Sequence, residues 1–388
     1  VWSGVTAALG LIQLLGSAAI AQPVEVSECA TFLAGREGYL SGDLTCVGTG
    51  FEAVGMGGHA ELDLRGYTIT SDAAGIACVG ICSIVSTVAG GRIVGTGTFP
   101  RAAIDGRWGA SVTVENVLLS GFYFGGIVDV PEAKLFDSTI EGMTACGLQH
   151  VGSILLVRSA VSNNPGTGIY QCGSLNATDS DISSNGSYGV DSFFGTVRLT
   201  RSTVVENGGG GLGCGGDCDL YPLNGIRSVH AVDSEISRNG GAGIDLDVAS
   251  GRVSLLGTTV ADNGGSGVQL VGGNVRAKES QVTGNGAAGV AIVNSGAGQI
   301  CKLALASSTV TSNALHGVEC ASTDRARTTV RASSVTANGM DAACGVGVPC
   351  ADVAASEEPR VRSDAACGTS YVTGTGLPGQ SWGVCSND

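Results

Sequence analysis

Two aspartates, Asp191 and Asp245, hold the same place in a segment that recurs along this 388-residue chain. Each follows an apolar residue that itself follows a glycine. Tyr170, Gln149 and Gln269 take the equivalent place in other copies, and Asp247 lies two residues beyond Asp245. Carboxylate pairs are the groups that hydrolyse glycosidic bonds. One protonates the leaving oxygen and the other activates water, and in inverting enzymes they stand about 6.5–9.5 Å apart. An aromatic ring beside them can stack on a sugar, and amides can bond its hydroxyls. The set therefore points to catalysis by Asp191, Asp245 and Asp247, with substrate contacts from Tyr170, Gln269 and Gln149. Calcium binding is an alternative use of the same carboxylates. A plainer reading also exists, because outward positions on a solvated sheet are normally polar without any function.

What could bring these residues together is the repeat. It reads STVVENGGGGL at 202–212, SEISRNGGAGI at 234–244, TTVADNGGSGV at 258–268, SQVTGNGAAGV at 280–290 and STVTSNALHGV at 308–318. The asparagine recurs as Asn164, Asn185, Asn207, Asn239, Asn263, Asn285 and Asn313, in steps of 21, 22, 32, 24, 22 and 28 residues. Asn338 continues the series, and Met143 and Phe122 extend it backwards. A unit of this length, with surplus residues in loops, is one coil of a solenoid. Short Val/Ile/Thr runs between Gly and Asn favour strands and turns. No window carries an apolar stripe at helical spacing. The asparagines can stack at one corner and bond each other's amides, and the glycine after each is expected at a positive φ.

This pattern resembles the right-handed parallel β-helix family, the fold of pectate lyases, over roughly residues 60–340. The resemblance implies an all-β, single-stranded solenoid of roughly twelve coils, a rod on the order of 60 Å at about 4.8 Å per coil. It implies no single activity, since the fold hosts lyases, hydrolases, epimerases, adhesins and inert spacers. The polygalacturonase-like, pectate-lyase-like and alginate-epimerase-like motif sets are absent from the sequence. After the repeat glycine, Ile127, Leu148, Ile169, Val190, Leu212, Ile244, Val268, Val290 and Val318 should point inward. The next residues should form an outward column: Val128, Gln149, Tyr170, Asp191, Gly213, Asp245, Gln269, Ala291 and Glu319. Gly213 would leave a gap between the two aspartates, two coils or about 9–10 Å apart. The insertion at 213–222 could wall one side of a cleft. The four histidines do not group in sequence.

Net charge is −14 and only Lys134, Lys278 and Lys302 are lysines. No basic stripe is available for nucleic acid, and a polyanionic polymer would be repelled at long range. The run Val5–Leu15 followed by Ala19, Ile20 and Ala21 reads as an export signal ending before Gln22, with a retained anchor or a buried strand as alternatives. Fourteen cysteines fit an oxidising compartment. Neighbouring pairs are Cys29–Cys46, Cys78–Cys82, Cys146–Cys172, Cys214–Cys218, Cys301–Cys320, Cys344–Cys350 and Cys367–Cys385. Cys146–Cys172 and Cys301–Cys320 are separated by near one coil. Metal binding at the Cys-x3-Cys spacings lacks a nearby histidine.

The expected organisation is a signal peptide at 1–21, an N-terminal cap at 22–60, the β-helix at 61–340 and a Cys-rich C-terminal cap at 341–388. The caps would cover the open ends of the sheets. The expected protein is monomeric, secreted or at the cell surface, with no stable membrane span and no cofactor. It binds a polysaccharide or surface glycan, or serves as a display scaffold. A polysaccharide-acting enzyme is the alternative.

Overall fold

The structure is a computed structural model describing residues 22–96, 101–192, 194–213, 225–246, 251–293, 300–320, 325–336, 338 and 384–385. These form a right-handed all-β parallel solenoid of about 12 turns. Each coil contributes three strands. One such coil is Ile169–Cys172, Ser174–Thr178 and Asp181–Ser183. The first two strand types stack into a 25-stranded sheet and the third into a 13-stranded sheet. Near the N-terminal end the first two merge into long strands, Val54–Asp63, Ile76–Val85 and Ala102–Glu115. Strands between Val24 and Cys46, in the stretch read as a cap, already pair parallel with these coils. Val384–Cys385 pairs parallel with Val318 and Glu319. The remainder of 341–388 and all of 1–21 lie outside the described residues.

The inward positions after the repeat glycine are buried from Ile127 to Val318. Stacked Ile, Val and Leu fill the bore, coil upon coil. Phe122 and Met143 occupy the asparagine corner in early coils and are fully buried.

The asparagine ladder forms as the spacing requires. Each Nδ2 donates to the next Oδ1, from Asn164 to Asn185 at 2.9 Å through Asn313 to Asn338 at 2.8 Å. Each Oδ1 also accepts the preceding ladder residue's backbone N–H, as Asn239 does for Asn207 at 3.1 Å. These amides are buried and satisfied, the condition for a polar core to be tolerated. Asn185, which heads a formal glycosylation sequon, is committed to this ladder.

The glycine after the asparagine does not work as expected. Positive φ falls instead on the residue before the asparagine: Asn163, Ser184, Glu206, Arg238, Asp262 and Ser312, at 53° to 59°. The glycine is there for close approach. A Cβ on Gly240 would lie 2.1 Å from the Gly208 carbonyl oxygen of the preceding coil.

A second ladder occupies another corner. The backbone N–H of Ser159 donates to Ser180 Oγ, and that of Ser180 to Ser202 Oγ, both at 3.2 Å. Each hydroxyl donates to the carbonyl two residues before it, as Ser180 does to Thr178 at 2.8 Å. Beside it runs a charge ladder on left-handed corner residues. Arg158 pairs with Asp137 through two bonds of 2.6 Å, and Arg201 with Asp179 through bonds of 2.7 and 2.8 Å.

Disulfides join Cys29 to Cys46 and Cys78 to Cys82. Cys146 does not pair with Cys172; it is a free thiol. The two residues sit on adjacent coils but not at one register. Leu148 pairs with Ile169, which sets Cys146 beside Thr167, five residues short of Cys172. Five extended residues span about 16 Å, far beyond disulfide reach. The cysteines of the other four expected pairs have side chains outside the described residues.

Candidate functional site along the outward column

Register places the outward column residue by residue. Val128 pairs with Gln149, Gln149 with Tyr170, Tyr170 with Asp191, and Asp191 with Gly213. Leu212 pairs with Ile244, bringing Asp245 beside Gly213, and Asp245 pairs with Gln269. Ala291 and Glu319 follow. Gln149, Tyr170, Asp191, Asp245 and Gln269 are all half-buried on one face. Two coils separate the aspartates, about 9–10 Å. Asp247 and the loop at 214–224 lie outside the described residues. Among the described residues no three His, Cys, Asp or Glu side chains gather as metal ligands.

The gap at Gly213 is filled. Tyr188 lies across it: a Cβ built on Gly213 would meet Tyr188 Cε1 at 2.9 Å and Asp245 Cβ at 3.4 Å. The same ring covers Gly210, where a Cβ would meet Cε1 at 2.6 Å. Tyr188 precedes its own repeat glycine, at the place held by Gly210, Ala242, Ser266 and Ala288 in later copies. Glycine in the following coil leaves the room its ring needs. Burial raises the Tyr188 phenol above its ordinary 10.0, and the charges of Asp245 and then Asp191 push the same way. Both carboxylates therefore act on the phenol between them.

Sequence reasoning missed Tyr188 as a member of this site. The signal was one bulky residue in a column of small ones. It also missed a pair at the rim. His150 Nδ1 lies 2.9 Å from Asp129 Oδ1, on the corner one residue beyond the column. Asp129, His150 and Gln171 share left-handed φ values of 59°, 54° and 52°. Gln171 Nε2 donates to the Tyr170 hydroxyl at 2.8 Å. The His150 and Tyr170 rings are 6.3 Å apart and tilted by 44°. The 21-residue step from Asp129 to His150 to Gln171 was legible, but it does not distinguish contact from mere stacking.

On the side of the column nearer the turn, Cys146 has its thiol held above the usual 9.0 by burial first, and further by the charge of Asp191. A shallow depression around Ser86, Arg92, Asn116 and Asp137 lies elsewhere on the coil and shares no residue with the column.

The arrangement is a strip about one outward residue wide. Amides and carboxylates alternate with two aromatic rings, and the strip runs parallel to the solenoid axis. An inverting hydrolase needs an open slot between its two carboxylates for water and the scissile oxygen. Here a tyrosine ring takes up that slot. Such a strip can bind a linear ligand by stacking and hydrogen bonds at successive steps.

Residues 223–304 match the family described as right handed beta helix region. The A-module of mannuronan C-5 epimerase AlgE6 from Azotobacter vinelandii is a similar solved structure. It is 15% identical, with a TM-score of 0.39, over 79% of this chain and 78% of that one. A likeness of that size carries no argument about activity. No curated protein sequence matches the chain.

Proposed function

We propose that this solenoid is a secreted or cell-surface carbohydrate-binding protein whose outward column, from Gln149 to Gln269, seats an extended glycan parallel to the axis. The observation that carries the reading is the continuous strip Gln149, Tyr170, Asp191, Tyr188, Asp245 and Gln269. It offers aromatic faces and hydrogen-bonding groups at one-coil intervals. Coils repeat at about 4.8 Å, a rise comparable to one sugar unit in an extended polysaccharide. Each sugar can then meet one coil.

Charge selects the class of glycan. The chain is at −14 and the strip holds two carboxylates, which favours neutral chains over polyuronates. Aromatic stacking with polar contacts is how carbohydrates are held without enclosure. The two disulfides at the N-terminal end suit an oxidising location. No helix among the described residues is long and apolar enough to cross a membrane.

The Tyr188 ring between Asp191 and Asp245 supports binding without cleavage. The test is a panel of neutral and acidic polysaccharides, read for retained protein, new reducing ends and unsaturated product together. Retention on a neutral glycan without new ends is expected. New reducing ends lost in Asp191→Asn and Asp245→Asn would make the protein a hydrolase instead. Unsaturated product would make it a lyase.

A further inference from the structure

The outward column extends further towards the N-terminus than the repeat motif does. Gln149 pairs with Val128, Val128 with Asp105, Asp105 with Ala77, Ala77 with Gly55, and Gly55 with Phe32. Phe32 therefore stands in the same column as Tyr170, six coils away, about 29 Å at 4.8 Å per coil.

Phe32 is 62% exposed, unusual for a phenylalanine beside a built core. Its ring lies flat along the next coil. A Cβ on Gly55 would sit 2.6 Å from Phe32 Cδ2, and one on Gly57 would sit 2.8 Å from Cζ. Both outward positions beneath the ring are thus glycine, and any side chain there would lift it. One face rests on backbone and the other faces water. Val79 pairs with Gly57 and is exposed beside it, in the stretch of strand that the Cys78–Cys82 disulfide bridges. Ala77, Asp105 and Val128 lie between Phe32 and Gln149 and are nearly buried. They present little side chain of their own.

We infer that Phe32, on its Gly55–Gly57 bed, is a distal sugar-stacking subsite that holds the far end of a long neutral glycan bound at Tyr170. The inference rests on the proposed glycan reading of the column. The chemistry favours a pyranose over other ligands for two reasons. The platform is a single flat ring without a pocket, and it is collinear with the only other aromatic residues of the described column, Tyr170 and the adjoining Tyr188. A chain that reaches both gains from the second contact as an intramolecular event.

The experiment titrates wild-type and Phe32→Ala protein with cello-, manno- and xylo-oligosaccharides of graded length, and with their parent polysaccharides. Gly57→Ala, which displaces the ring without deleting it, serves as a second variant, and Tyr170→Ala as the reference. Oligosaccharides shorter than about 29 Å should bind wild type and Phe32→Ala equally. Longer chains should bind Phe32→Ala and Gly57→Ala at least about ten-fold more weakly. Phe32→Trp should restore that loss. Tyr170→Ala should weaken every length.

Long chains that bind Phe32→Ala as tightly as wild type, while Tyr170→Ala weakens them, would overturn the distal subsite and leave the column intact. No binding to any of these glycans by wild type would overturn both. Self-association in sedimentation that Phe32→Ala abolishes, with glycan affinity unchanged, would assign the ring to a second copy of the chain and overturn the subsite.

Discussion

Tyr188 lies over Gly213, at 2.9 Å from where a Cβ would stand, in the one outward position between Asp191 and Asp245. The relationship decides how the acidic column is read. Without the ring, two carboxylates two coils apart would face each other across an open slot. With it, they flank an aromatic surface. The glycine is as necessary as the tyrosine, because any larger residue at 213 would displace the ring.

Gly213→Val should therefore weaken glycan binding about as much as Tyr188→Ala does. A lost stacking contact corresponds to roughly 1 kcal/mol, about five-fold in affinity. Tyr188→Phe should bind within about two-fold of wild type if stacking dominates over the hydroxyl. Equilibrium titration of the three variants against one retained polysaccharide checks this.

The Tyr188 phenol gives a direct reporter of the two carboxylates. Burial, Asp245 and Asp191 all favour its neutral form. The raised folded-state pKa stabilises the fold fully below the ordinary phenol value of 10.0, and that contribution is lost as pH rises through the folded value. Ultraviolet titration should show a tyrosine ionising above 10.0. Asp245→Asn and Asp191→Asn should each lower its midpoint, and Tyr188→Phe should remove it.

The buried asparagine ladder should fail at its centre when one rung is removed. Asn239→Ala takes the acceptor from both the backbone N–H and the Nδ2 of Asn207. Asn207 Nδ2 keeps its other bond, to the Ile182 carbonyl, but two buried N–H groups lose their acceptors, which costs about 2–4 kcal/mol. Denaturant unfolding should show a lower midpoint, whereas Asn176→Ala on an outward position should shift it little.

Cys146 should behave as a half-buried free thiol. Its pKa is raised by burial and by Asp191, so alkylation at neutral pH should be slow and should accelerate above pH 9.0. Cys146→Ser should not change the non-reducing peptide map. Cys29→Ser should, because Cys29 is bonded to Cys46.

The charge ladder should respond to acid. The Arg158 guanidinium bonded to Asp137, and Arg201 bonded to Asp179, lower the carboxyl pKa values below 3.8. Their contribution is present above that ordinary value and is lost as pH falls through the folded values. Both pairs are exposed, so salt should screen them. The acid unfolding midpoint of Arg158→Ala should lie closer to neutral than that of wild type, and the difference should shrink at high ionic strength.

Most of the solenoid was legible because its periodicity is written in residues that have one job. Ile169, Val190 and Leu212 must fill a bore, and Asn185, Asn207 and Asn239 must satisfy one another. Their spacing then fixes which residues share the outward column. The reason for the glycines was misread. Gly240 looked like a positive-φ residue, yet the strain falls on Arg238, two residues earlier, and Gly240 makes room for a carbonyl. The serine ladder of Ser159, Ser180 and Ser202 was visible only as the start of each block, since a serine before a strand has many uses. The Cys146–Cys172 spacing counted residues but not register along the strand. Tyr188 escaped because side-chain reach across coils depends on what the next coil lacks. Its partner is Gly213, a residue with no side chain to advertise.

The central claim is that the column from Gln149 to Gln269 holds a glycan chain. Its most direct test is calorimetric titration of the purified chain with the neutral polysaccharide that retains it best, comparing wild type with a Tyr170→Ala/Asp191→Asn double variant. Saturable heat for wild type and a loss of at least about ten-fold in affinity for the variant are predicted. Equal affinity in both proteins, with folding unchanged by circular dichroism, would place binding elsewhere on the molecule and contradict the account.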